Sequence, residues 1–185
     1  KRLQGEATYR PFHTALLSEE AIFWSRFERS FSTSFGQRVI EEIARLVILS
    51  NGDSTAQRQR ETFVNLDDAY AAAISAHIQG LRNGQRSDWN TTVAALRAIP
   101  LSGTTTPVRI ISDLWWQKDG INNYISLKTV KPNIDQTAIV KEDCLRLTLS
   151  DTYCNAYFGL LYNPYGENKS DYAHTQPMGI FDFHH

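Results

Sequence analysis

Cysteine is scarce in this chain, with two residues in 185, and methionine occurs once. Two thiols, Cys144 and Cys154, cannot build a disulfide framework, and their spacing matches no metal-ligand pattern, so both read as reduced packing residues. No charge dominates either. Nineteen Lys and Arg against twenty Asp and Glu leave a formal charge of −1, which excludes a global field drawing the protein to nucleic acid or an anionic membrane. Any polyanion must meet a local patch. No apolar run reaches the roughly 18 to 20 residues of a membrane-spanning helix, and the start, KRLQGEATYRPFH, lacks the apolar stretch of a secretory signal. The expectation is a cytoplasmic protein with no membrane association. Lys1 stands where an initiator Met would, and His184 and His185 close the chain, so a piece of a longer protein is expected. What is present is 42% hydrophobic and 11% aromatic residues, enough for one globular domain over 1–185 with a real core.

The first half, to about residue 100, reads as helical. Ser18 followed by Glu19 and Glu20 starts one helix, which runs to about Phe31. From Ser34 the residues Phe35, Val39, Ile43, Leu46 and Val47 recur at helical spacing until Asn51-Gly52. Residues 53–62 are polar and read as a loop. Asp67 caps an Ala-rich helix ended by Asn83-Gly84, and Ser87 caps another that stops before Pro100. About four helices therefore precede any strand. From about 101 the pattern changes: 108–116 and 121–130 read as strands joined by a turn at Lys118-Asp119-Gly120. Asp135 caps a helix to about Leu149, and 153–162 is a buried strand. The fold class expected is α/β, a mixed sheet with a β-hairpin flanked by helices.

The hairpin carries the most informative residues. Asp113 follows the apolar run VRIIS, and Ser126 and Lys128 share one face of the returning strand, with Tyr124 beside them. A lysine among Ile, Leu and Val costs desolvation unless an anion meets it. Metal-dependent phosphodiester hydrolysis supplies a reason: carboxylates hold Mg²⁺, and a lysine stabilises charge or positions water. A cross-strand ion pair of Asp113 with Lys128 explains the same two residues without chemistry.

An Asp and an acidic-x-Lys on adjacent strands resemble the PD-(D/E)xK nucleases, with Ser126 at the acidic position. Glu142, with thirteen residues between it and Lys128, resembles the displaced acid of some restriction endonucleases, in which a helix donates the missing carboxylate. Ala138, Glu142, Leu145 and Leu149 lie at spacings of four, three and four, so Glu142 shares a face that packs on the sheet. Pairing with Arg146 is its other reading. At about 100° per residue from Phe35, Glu42 falls within the apolar stripe of its helix and Glu41 points away. Glu42 is therefore the candidate for the supporting glutamate that many such nucleases take from an N-terminal helix, with a pair to Arg38 or Arg45 as its alternative.

FERSFSTSFGQ, SLKTVKPNIDQ and YNPYG resemble the TdeIII-type restriction endonucleases over most of the chain. The resemblance implies a Mg²⁺-dependent type II enzyme of a bacterial or archaeal cytoplasm. It implies a homodimer that cuts double-stranded DNA at a short palindromic site, of the GGNCC kind. Asp113 and Glu142 are the expected metal ligands, with Lys128 at the water and phosphate, Ser126 lining the site and Glu42 in support. Lys131, Asn133, Asp135 and Gln136, just past the catalytic strand, are the expected DNA-reading residues. Arg29 and Ser32, with Arg26, Ser30 and Thr33 around them, form a second polar cluster suited to phosphate. Asp135 as a plain N-cap and Pro132-Asn133 as a plain strand stop are the structural alternatives. Two rival functions keep the fold: a structure-specific repair nuclease, and a DNA-binding module inactive through Ser126. An interaction domain unrelated to DNA is a third.

Overall fold

The computed structural model describes residue 23 and residues 38–52, 55–151 and 153–181. The chain divides into two units, residues 1–40 and 41–185, and the account below concerns the second. Its elements begin with residues 41–50 of helix α1, which spans 38–50, and strand β1, Thr55–Asp67. Helices α2, Asp68–Arg82, and α3, Trp89–Arg97, follow. Strands β2, Thr105–Lys118, and β3, Ile121–Lys128, precede α4, Ile134–Ser150, and β4, Cys154–Leu160. One 3₁₀ turn, Lys169–Asp171, and the short α5, Thr175–Ile180, complete the described part.

The four strands form one mixed sheet in the order β1-β2-β3-β4, antiparallel except that β3 and β4 run parallel across the α4 connection. The hairpin turn lies at the expected place, because Asp119 and Gly120 both take left-handed backbone angles, φ 51° and 78°, as a tight two-residue turn requires. Asp67 caps α2 as expected, its side chain accepting from the Ala69 amide. The caps of the next helices differ from expectation by one or two residues. Asp88, not Ser87, caps α3, and Asn133, not Asp135, caps α4 through a reciprocal capping box with Gln136.

The principal correction concerns β1. Four helices were expected before any strand, yet TAQRQRETFVNLD is a thirteen-residue edge strand lying on β2. Its alternating burial is carried by Arg58, Arg60 and Thr62 as well as by Ala56 and Val64, and Arg60 lies over the Trp115 ring at 4.8 Å. Arginine stems cover apolar surface while their heads stay wet, so a hydropathy pattern does not register them. The first expected helix, about 18–31, lies outside the described residues.

The core is built by Ile74, Ile78 and Leu81 of α2, Val93 and Leu96 of α3, and Ala138 and Leu145 of α4, closed by Leu66 and Ile180. A smaller cluster of Ile110, Tyr124 and Leu147 joins α4 to the hairpin. Cys144 and Cys154 are free, as expected; burial pushes the Cys144 thiol up to about 12 and the Cys154 thiol to about 11.

Candidate active site

The β2–β3 ladder ends at Leu114 opposite Ile125, and from Ser126 to Lys128 strand β3 is recorded pairing only with β4. The strands fork at this point, and a backbone amide at the fork needs an acceptor. Asp113 supplies it. One carboxylate oxygen accepts from the Leu127 amide at 2.7 Å and from the Lys128 ammonium at 3.3 Å. The Lys128 ammonium also donates to the Leu127 carbonyl at 3.2 Å, so the catalytic-type lysine is held by both residues. Asp113 and Lys128 thus meet, as the sequence pattern implies.

The other Asp113 oxygen accepts from the Gln59 amide at 3.2 Å, and the same Gln59 nitrogen donates to Glu41 at 2.8 Å. Glu41 is 4% exposed. Burial first, and then the charge of Asp113, pushes the Glu41 carboxyl up; Gln59, Arg58 and Lys128 oppose this without cancelling it. Two carboxylates are thereby joined through one amide, next to the lysine.

The acid that α1 buries beside Asp113 is therefore Glu41, whereas the helical phase put Glu42 on the packed face and pointed Glu41 away. Glu42 binds Arg45 at 2.6 Å and lies 3.2 Å from Arg58, so it is neutralised on the outside of α1. The phase argument failed because its apolar stripe is not the packed face: Ile43, Leu46 and Val47 are 55%, 52% and 53% exposed. α1 packs through the side that carries Glu41.

On α4, Ala138 and Leu145 are fully buried as expected, while Glu142 is half-buried with its carboxylate 2.5 Å from Arg146. Its neighbour Asp143 also binds Arg146, at 3.1 Å, and it is Asp143 that lines a small pocket together with Ser126, Ser112 and Tyr124. Burial pushes the Asp143 carboxyl up, with Arg146 and Lys128 acting against it. Sequence reasoning singled out neither Asp143 nor Gln59. Asp143 was one residue from the chosen acid, whereas nothing in the polar run around Gln59 marks it.

With this geometry in view, the profile of type II restriction endonucleases of the HinfI kind matches residues 1–185. The chain belongs to the HinfI family of type II restriction endonucleases. Among its curated relatives, the type II restriction enzymes HgiCII and HgiEI of Herpetosiphon aurantiacus are each 30% identical over 189 residues, which is 98% of this chain and 68% of theirs. HgiBI of the same organism is 29% identical over the same span. No solved structure matches. The whole-chain family is thus HinfI, while the motifs resembled the TdeIII-type enzymes; both readings are type II restriction endonucleases. A site-specific nuclease acting on DNA follows from the family. No helix among the described residues is long and apolar enough to cross a membrane.

For this family member the expected DNA-reading residues divide. Lys131 is exposed and its ammonium lies 5.5 Å from the Tyr165 ring. Tyr165 meets Tyr172 edge-on, and the Tyr172 hydroxyl donates to the Val130 carbonyl at 2.7 Å, so the KTVKPN and YNPYG segments form one surface. Asn133 and Gln136 are engaged in capping α4, and Asp135 pairs with Arg82 at 2.5 Å. These contacts give Asn133, Asp135 and Gln136 structural duties at the same edge. Arg29 and Ser32 lie outside the described residues.

Proposed function

We propose that the chain is a Mg²⁺-dependent type II restriction endonuclease with a PD-(D/E)xK-type core. In this reading it acts as a homodimer in a bacterial or archaeal cytoplasm and cuts double-stranded DNA at a short palindromic site of the GGNCC kind. The observation that supports this most is the connected set Glu41–Gln59–Asp113–Lys128 at the fork between β2 and β3. The donor set suits the ion: two hard carboxylates stand together, and burial, then the charge of Asp113, pushes the Glu41 carboxyl up, a cost that a bound cation would relieve. Among the described residues no group of three or more His, Cys, Asp or Glu is close enough to hold a metal, so Glu41 and Asp113 would hold it with solvent or DNA oxygens completing the shell.

When bound, the metal supplies Lewis acidity to the scissile phosphate and lowers the pKa of water. Lys128, oriented by Asp113 and by the Leu127 carbonyl, stabilises the extra negative charge as the phosphate is attacked. The helical acid takes the place of Ser126 beside the Glu41–Asp113 pair, not within its metal shell. Its carrier is the Glu142–Asp143 pair held by Arg146, with Asp143 facing Ser126 and Glu142 as its outer partner. Lys131 and the Tyr165 surface meet the duplex beyond the end of β3.

Incubation of mixed-sequence plasmid with Mg²⁺ tests the reading. Discrete bands are the expected result. Nicking at branched or damaged DNA would replace it with a repair nuclease, and intact DNA with retained binding would replace it with an inactive module.

A further inference from the structure

Gln59 is not part of the nuclease pattern, yet it is the residue on which the two carboxylates converge. Three observations single it out. It takes φ +50°, a conformation that costs a residue with a Cβ, in the middle of a strand. The β1–β2 pairing skips it, passing from Arg58–Leu114 to Arg60–Ser112, so the Gln59 and Asp113 backbones are released from the ladder opposite one another. One amide nitrogen then gives its two hydrogens to Glu41 and Asp113, at 2.8 and 3.2 Å.

We infer that Gln59 is a positioning residue that stands in for the metal: its amide dipole holds the Glu41 and Asp113 carboxylates together in the metal-free enzyme and is displaced when the cation arrives. The inference rests on the metal reading of Glu41 and Asp113 above. An amide that donates to two anions gives them part of what a cation gives, directional positive charge, at no net charge. Gln59 is itself exposed, so its side chain has solvent to swing into when it yields.

The test is calorimetric titration of the full chain with Ca²⁺, without DNA, on wild type, Gln59→Asn and Gln59→Gly. Asn and Gly both tolerate the left-handed backbone, and neither side chain spans the two acids. Both variants are expected to bind Ca²⁺ about tenfold more tightly, the lower end of the scale of one hydrogen bond to a charged group, since no amide has to be displaced and the ion relieves a bare carboxylate pair. Their melting temperatures should fall below wild type without Ca²⁺ and converge with it at saturation. A merely structural role would weaken Ca²⁺ binding. Wild-type binding with equal or weaker binding in both variants overturns the inference and leaves the metal site standing. Absence of binding in wild type overturns both.

Discussion

Ser126 and Asp143, on β3 and α4, line the same small pocket, and Arg146 ties Asp143, at 3.1 Å, to its neighbour Glu142, at 2.5 Å, which does not line it. In the proposed reading, the acid absent from the strand is supplied by this helix carboxylate. Asp143→Asn should lower Mg²⁺-dependent plasmid cleavage by about 100-fold or more, the scale of removing a group that acts in the transition state. Glu142→Gln should lower it less. DNA binding in Ca²⁺, measured by gel shift, should stay near wild type in both. Equal turnover of Asp143→Asn and wild type would remove α4 from the site.

Lys128→Met should abolish detectable cleavage while the protein still binds its DNA in Ca²⁺. The methionine fills the stem's volume but leaves Asp113 with the Leu127 amide and no cation. Single-turnover cleavage and gel shift, run side by side, separate loss of chemistry from loss of binding.

Lys131→Ala should weaken binding to the recognised sequence by about 1 to 3 kcal/mol and leave binding to unrelated duplex nearly unchanged. The Tyr165 ring against its ammonium keeps the side chain oriented toward one surface. Titrations at two salt concentrations decide the matter, since a phosphate contact would instead reduce all sequences alike and flatten the salt dependence.

Asp67 gives a pH-dependent prediction about the fold. The Ser102 amide above all, with the Ala69 and Gly103 amides and the Ser102 hydroxyl, holds its carboxyl below the ordinary aspartate range. The ionised form is therefore favoured by folding. Its stabilisation is present above the unfolded pKa of about 3.9 and is lost as pH falls through the lower folded value. Asp67→Asn should lower the urea midpoint at pH 7, and the difference from wild type should narrow as pH falls below the unfolded value and through the lower folded one. A difference that persists there would mean shape, not charge, is what Asp67 contributes.

Much of the site was legible because it depends on local order. Asp113 and Lys128 belong to two halves of one hairpin, and a turn that demands left-handed residues sets their register. Asp67 as a cap, the Ala138 and Leu145 face, and the unreactive thiols follow in the same way from neighbours in the chain. Residues 1–22 and 24–37, with Arg29 and Ser32, are outside the described part, and the reading of them is neither supported nor opposed.

What the sequence determined alone is thus the hairpin, its acid and its lysine, together with the kinship of the motifs to restriction endonucleases. Only tertiary structure decided which of two adjacent acids is buried beside Asp113, Glu41 and not Glu42, and which lines the pocket with Ser126, Asp143. The reason is geometric. Neighbouring helical positions differ by about 100°, so a small error in which face is packed exchanges them, and that face is set by what lies against it. The same holds for Gln59: its importance comes from two carboxylates eighteen and fifty-four residues away along the chain, and no local pattern encodes a meeting of that kind.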